Sequence, residues 1–228
     1  MNKQQLRISR RWFICGATAS CLLTGCGENK LAQTITDAYK LTFVDQKGPN
    51  ISRDAVSKLP YASITAKIGK GPRGLLILWL RKADDLYWLS ADNVVIVTRL
   101  GRVVKTSGVP EEIRDTHATQ SDPVALGLHD ESHLKTFKRQ VDLKENQRNL
   151  QTLEIASEFS QIRHETLKIV EINFDTILVS EKCVAKTVNW QFENLYWVDP
   201  ADGFVWKSTQ HIARSFPPVV IEVCKPAA

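Results

Sequence analysis

The chain has no run of twenty consecutive apolar residues, the length a helix needs to cross about 30 Å of hydrocarbon. Its longest weakly apolar stretch, Ser9 to Cys26, is interrupted by Gly, Ala, Ser and Thr, too short and too polar for a stable span. There is no G-x-S-x-G elbow and no phosphate-cradling glycine loop, so neither a hydrolase nucleophile nor a nucleotide site is signalled. Cysteine is scarce, at five residues, and the first 25 residues contain no acid.

What is present is ordinary for a globular protein of one or two domains: 228 residues, 43% hydrophobic and 24% charged. A body of this size can bury about 70% of its unfolded surface without a metal to hold it together.

The acid-free start has the three parts of a secretory signal. Lys3, Arg7, Arg10 and Arg11 form a basic region, Phe13 to Leu23 is apolar and small, and Leu23-Thr24-Gly25-Cys26 closes it. Ser9-Arg10-Arg11-Trp12-Phe13-Ile14 looks like a twin-arginine motif without its frequent downstream Lys, so export by the twin-arginine or the general secretion route stays open. Leu23-Thr24-Gly25-Cys26 resembles a bacterial lipobox, which makes Cys26 the mature N-terminus and the lipid attachment point. One acyl chain binds a bilayer reversibly, whereas two or three anchor effectively permanently. Gly27 follows the cysteine where a retention Asp would hold a lipoprotein in the inner membrane, which favours the periplasmic face of the outer membrane.

Cleavage removes those four basic residues and takes the formal charge from +5 to +1. A near-neutral body gives no electrostatic case for nucleic acid. It also leaves Cys183 and Cys224 as the sole pair besides the lipidated residue, in an oxidising compartment. A disulfide between them is expected, closing a loop of about 41 residues and contributing roughly 4 kcal/mol in the chain-entropy model.

Beyond the anchor, Leu31, Ile35, Ala38 and Tyr39 recur at helical spacing, and Ser52 is placed to cap a brief helix that Pro60 stops. Then β-branched and aromatic runs predict strands over 61–68, 75–80, 86–90, 94–98, 102–106, 136–143, 151–160, 166–172, 176–181, 187–192, 196–198, 204–209 and 219–223. Residues 75–80, fenced by Arg73 and Arg81, read as a central strand covered on both faces. Residues 110–133, poor in apolar side chains, read as a long surface connection.

The predicted fold is mainly β: antiparallel sheets after a short helical lead, with residues 1–25 a cleaved signal and 26–228 one β-rich periplasmic domain. Two halves, 60–109 and 134–228, echo each other. Leu86-Tyr87-Trp88-Leu89 returns as Leu195-Tyr196-Trp197-Val198, and Gly101-Arg102-Val103-Val104-Lys105-Thr106 as Gly203-Phe204-Val205-Trp206-Lys207-Ser208. Each copy reads as strand, turn, strand.

Several short motifs together resemble the YjbF/GfcB lipoproteins. They are Leu59-Pro60-Tyr61-Ala62-Ser63, Thr98-Arg99-Leu100-Gly101-Arg102-Val103-Val104-Lys105-Thr106-Ser107-Gly108, Asp122-Pro123, Asn194-Leu195-Tyr196-Trp197-Val198-Asp199, the run from Gly203 to Gln210, and Lys225-Pro226. They occur in the family's order across nearly the whole mature chain. The resemblance implies a β-rich fold of antiparallel sheets and a part in making or exporting extracellular polysaccharide, since the family accompanies group 4 capsule and related operons. It supplies no catalytic mechanism.

The residues carry little chemistry that would overturn a non-enzymatic reading. His129 and His133 stand four apart, but in a loop, with the Glu of H-E-x-x-H misplaced and no third ligand, so no metal and no cofactor is expected. Asp92, Asp199 and Asp202 sit beside Asn, Pro and Gly, where short acids cap turns. Asp84-Asp85 and Glu111-Glu112 are the other paired acids a glycosidase would require. Tyr87, Trp88, Tyr196, Trp197 and Trp206 are candidate glycan contacts, with one ring of each Tyr-Trp pair pointing to each sheet face. Arg99 and Arg102, flanking a turn at Gly101, are candidate contacts for acidic sugars or a partner's carboxylates.

Three functions follow, in order. The first is an outer-membrane-anchored periplasmic lipoprotein that assists polysaccharide assembly or export, non-enzymatically, with the export machinery as partner. The second is a direct polysaccharide-binding module, and the third a periplasmic glycan-modifying enzyme.

Overall fold

The computed structural model describes residues 51–145 and 149–227. Cys26, the signal and the helical lead at Leu31 to Tyr39 lie outside the described residues. Ser52 caps the first helix, α1 (Arg53–Lys58), accepting a hydrogen bond from the Ala55 N–H at 3.2 Å. The helix gives way to extended backbone at Leu59, just before Pro60.

Twelve strands follow: β1 (Ser63–Ile68), β2 (Arg73–Lys82), β3 (Asp85–Ser90), β4 (Val95–Arg99), β5 (Arg102–Ser107), β6 (Glu112–His117), β7 (Phe137–Glu145), β8 (Asn149–Ile169), β9 (Ile172–Ala185), β10 (Trp190–Val198), β11 (Val205–Gln210) and β12 (Val219–Lys225). They form one antiparallel sheet in the order β5-β4-β3-β2-β1-β12-β11-β10-β9-β8-β7-β6. The predicted antiparallel β class holds, and the two echoing halves are stretches of a single sheet joined by the β1–β12 ladder.

The sheet curls until its two end strands, β5 and β6, face each other. Side chains bridge this seam in place of a backbone ladder. The Ile113 N–H donates to Thr106 Oγ1 at 2.9 Å, the Thr116 hydroxyl donates to the Val104 carbonyl at 3.0 Å, and the Gly108 N–H donates to Glu112 Oε1 at 2.9 Å. Lys105 and Asp115 add an ion pair at 3.2 Å. Edge strands that would otherwise template aggregation are thereby covered.

Sequence reading missed β6, inside the segment taken for a loop, because Glu112, Arg114, Asp115 and His117 give it the charged composition of an edge strand. The same segment holds a second short helix, α2 (Pro123–Leu126), capped by Asp122 through the Val124 N–H at 3.0 Å. Residues 151–160 and 166–172 are not two strands. They belong to β8 and its turn, since Val170 and Glu171 both take positive φ and make a two-residue reversal without glycine. Likewise 187–192 and 196–198 merge into β10 after a short 3-10 turn at Lys186–Val188.

Strand β2 is covered on both faces only at Leu76 and Ile77, which are buried. An irregularity between Leu78 and Leu80 leaves Trp79 and Leu80 about half exposed, so the apolar run is not a doubly buried strand throughout.

The expected disulfide is absent: Cys183 and Cys224 are free and buried. They sit on β9 and β12 with two strands between them, so at about 4.8 Å per step their backbones are roughly 14 Å apart along the sheet. A disulfide requires Cα atoms within about 7 Å. Burial, with the nearby charge of Glu181, pushes the Cys183 thiol up to about 12, and burial beside Glu222 pushes Cys224 to about 11.

The β8–β9 hairpin outruns its neighbours, since β7 pairs no further than Ser157 and β10 no further than Ile177. A register irregularity between Gln161 and Arg163 bends it. This arm lies against the outer face of the sheet: Phe174 packs on Trp206 with ring centroids 4.0 Å apart, Trp197 Nε1 donates to Glu165, and Ile169 near the tip is buried.

Candidate functional site

Two apolar clusters fill the interior. The larger includes Ile64, Leu76, Trp88, Ile96, Val141, Leu153, Trp190 and Ile221. The smaller gathers Val124, Leu128, Phe137, Phe159, Val179, Tyr196, Val198 and Val205. Set among them is a polar centre. Glu181 on β9, wholly buried, accepts from Arg139 Nη1 on β7 at 2.7 Å through Oε1. Its Oε2 accepts from Arg102 Nη1 on β5 at 3.0 Å, Asn194 Nδ2 on β10 at 2.8 Å and the Tyr196 hydroxyl at 3.1 Å. Arg102 is 2% exposed and also forks onto Asp122, with Nη2 to Oδ1 at 2.9 Å and Nε to Oδ2.

Two guanidiniums therefore face two carboxylates. Burial alone would raise the Glu181 carboxyl, but the charges of Arg102 and Arg139 and the hydrogen bonds from Arg102 and Asn194 outweigh it and hold the group well below the usual carboxylate range. Burial opposes the charge of Arg102 too, and Asp122 and Glu181 more than compensate, raising its pKa well above the ordinary value. Gln210 on β11 extends the network, accepting from the Val103 N–H at 2.9 Å and donating to the Gly101 carbonyl at 2.8 Å. Arg102 thus ties seam strand β5 to β9 across the interior.

Above this centre, at one end of the sheet, a cavity of about 320 Å³ opens between the two clusters. Ile64, Trp88 and Ile221 of the larger cluster and Val124 and Val205 of the smaller form its depth, with Leu86, Phe204 and Val223 in the walls. Helix α2 makes one side, and its cap Asp122 is the residue that Arg102 grips, so the polar centre fixes a wall of the cavity. The β4–β5 turn makes another. Gly101 there has φ +102°, and a Cβ on it would stand 2.5 Å from Val205 Cγ2, so both backbone and space require glycine.

The sequence candidates divide sharply. Trp88 lines the cavity and donates from Nε1 to Thr98 Oγ1 at 2.8 Å, while its neighbour Tyr87 is half-buried. Tyr196 is wholly buried and Arg102 nearly so, in internal bonds, which removes both as glycan contacts. Trp197 faces away from the core as the alternation implied, but the β8–β9 arm and Lys207, 5.0 Å above its ring, cover it. Trp206 is half-buried between Phe174 and Phe204. Arg99 pairs with Asp85 at 2.6 and 3.1 Å.

Asp199 and Asp202 cap turns through the Ala201 and Phe204 N–H groups, both at 2.9 Å. His133 Nδ1 lies 2.9 Å from the Gly127 carbonyl in a single 3-10 turn (Glu131–His133).

Sequence reading gave no site role to Glu181, Arg139, Asn194, Gln210 or Asp122, although the last three fall within the motifs that carry the family resemblance. Parity carried a signal for two of them. Glu181 is in phase with Ile177, Val179, Cys183 and Ala185, and Arg139 with Phe137, Val141 and Leu143, so each is a charge at an inward position of an otherwise apolar face.

The fold and site together define a nearly closed antiparallel β-structure with a buried ionic centre beneath an apolar cavity. Residues 36–224 match the family described as "Group 4 capsule polysaccharide lipoprotein gfcB, YjbF", and the chain belongs to it. It is 27% identical to the uncharacterized lipoprotein GfcB of Escherichia coli (strain K12) over 90% of this chain and 94% of that one. It is 22% identical to the uncharacterized lipoprotein YjbF of the same organism over 79% and 82%. The crystal structure of the hypothetical lipoprotein YmcC from Escherichia coli (K12) superposes with a TM-score of 0.74 at 25% identity, covering 88% of this chain and 98% of that one.

Proposed function

We propose that the protein is a lipoprotein held by acyl chains on Cys26 at the periplasmic face of the outer membrane, where it assists assembly or export of an extracellular or capsular polysaccharide without catalysing a reaction on it. The observation that carries this reading is the family match, which spans almost all of the chain that follows the tether and is described by its association with group 4 capsule polysaccharide. The interior chemistry supports the non-enzymatic part. Glu181 and Asp122, the buried centre's acids, are committed to Arg102 and Arg139 and have no freedom to act as a general acid and base pair.

The test is co-purification of the mature lipoprotein with an outer-membrane export component after mild solubilisation, beside a Cys26→Ala control. The reading expects the native protein to sediment with membranes and retain the component, and the variant to be released. A Cys26→Ala protein that still sediments would overturn the anchoring.

Direct polysaccharide binding is the second reading, and the half-buried group of Phe174, Phe204 and Trp206 favours it. Phe174 and Phe204 pack on Trp206 at 4.0 and 4.7 Å between centroids, and the half-buried group offers a stacking surface for sugar C–H faces. Saturable change in tryptophan emission on titration with the native polysaccharide, lost in Trp206→Ala, supports it. No response at millimolar sugar removes it.

A further inference from the structure

We propose that the cavity at the α2 end of the sheet is a binding site for a single fatty acyl chain. This goes beyond the role in polysaccharide export and rests on the lipid anchoring of that reading only for the source of the chain.

The ligand class follows from what the cavity can and cannot satisfy. Its depth is built from Ile64, Trp88, Val205, Ile221 and Val223. The two side-chain polar atoms there, Trp88 Nε1 and Thr98 Oγ1, are bonded to each other at 2.8 Å. Asp202, exposed at the wall, accepts from the Phe204 N–H through Oδ1. A sugar pushed into that depth would leave hydroxyls without partners there, a cost that a hydrocarbon chain does not incur. The volume of about 320 Å³ falls at the small end of ligand sites and suits one chain. At the mouth the lining changes character. Leu100 and Leu126 are 48% and 46% exposed, and Arg81 and Asp84 also line the cavity and are exposed, so the apolar entrance is bordered by charged residues at the solvent.

The position of the tether supplies the second argument. The lipid-bearing segment enters the body through α1, where Arg53 Nη1 donates to the Cys224 carbonyl at 3.3 Å and Lys225 Nζ donates to the Leu59 carbonyl at 2.6 Å. These residues adjoin Ile64, Val223 and Ala227, which line the cavity. The first described residues therefore lie beside part of the cavity lining, and a protein carrying acyl chains on Cys26 meets fatty acyl chains as the apolar ligand of its membrane.

Dibromostearic acid tests the proposal, because bromine quenches tryptophan emission at contact range and Trp88 is in the wall. The full chain carrying Cys26→Ala, which has no acyl group of its own, is expected to show saturable quenching at one fatty acid per protein. Trp88→Phe in that background should remove the quenched component. Val223→Phe, which fills the cavity, and Leu126→Arg, which charges the exposed mouth, should each weaken binding at least tenfold while circular dichroism stays native. The lipidated wild-type protein then identifies the source of the chain. Binding as tight as in Cys26→Ala assigns the site to a free or bilayer acyl chain, and binding at least tenfold weaker assigns it to the chain on Cys26. Quenching that does not saturate, that survives Trp88→Phe, or that is unchanged in both Val223→Phe and Leu126→Arg overturns the proposal. Displacement of the fatty acid by a methyl hexopyranoside overturns the assigned ligand class.

Discussion

The interior holds two neighbouring regions of opposite character. Around Glu181 every strong polar group has a partner and almost no space remains, while a few residues away the apolar cavity has space and no unpaired side-chain polarity at its depth. The first region is saturated from within, so its chemistry is spent on structure: it clamps β5 to β7 and β9 and holds α2 through Asp122. The second is left open, and what it lacks is filler. Charged residues in a buried site therefore do not by themselves mark the working part of this molecule.

The sharpest way to break that contrast is to unbalance the ionic centre. Glu181→Ala should destabilise the protein by about 3–5 kcal/mol in urea unfolding, because it strips the buried Arg139 of its carboxylate partner and leaves Arg102 with Asp122 alone. A loss below about 1 kcal/mol would mean the cluster is not the clamp described. Next in size, Asp122→Ala removes the fork onto Arg102 and the cap of α2, for a loss of about 2 kcal/mol. It should also raise amide exchange selectively over residues 122–128, the cavity wall.

Acid should act through the same group. Glu181 is held below its ordinary value of 4.5 in the folded protein, so as pH falls past 4.5 the unfolded chain takes up the proton first and stability declines toward the lowered folded value. Stability measured between pH 5 and pH 3 should fall less steeply in Glu181→Gln than in the wild type. The smallest effect belongs to the surface: Arg99→Ala, which breaks an ion pair with Asp85 at a 41% exposed guanidinium, should cost less than about 1 kcal/mol.

A fifth prediction concerns the cysteines. Burial raises both thiols, so Cys183 and Cys224 should resist maleimide in the native protein and both react after unfolding without reductant. If neither reacts until reductant is added, a disulfide joins them and the separation of β9 from β12 is wrong.

How much of this the sequence made legible depended on the kind of signal. Alternation of β-branched and aromatic residues marked eleven of the twelve strands, at least in part, because half-buried sheet positions impose period two directly. Strand β6 escaped since Ile113 is its only apolar residue and no stripe of period two marks it. Register and closure were beyond reach for a related reason: Arg102 meets Glu181 across 79 positions, a juxtaposition that only the curl of the sheet creates. The cysteine pair misled because compartment and count argue for a disulfide, whereas strand order decides whether the two sulfurs can meet. The aromatic candidates failed at Tyr196 and Trp197 for opposite reasons, one pointing into the core and the other covered by an arm whose bend at Ile162 leaves no pattern in composition. Gly101 and Gly203 take φ values of +102° and +76°, the left-handed backbone that favours glycine.

The central claim, that this lipoprotein assists production of a surface polysaccharide, is tested most directly by surface polysaccharide measured in a strain deleted for the protein, with and without the wild-type gene restored. A loss on deletion that the restored gene reverses is the predicted result. An unchanged polysaccharide level in the deletion strain would contradict the account.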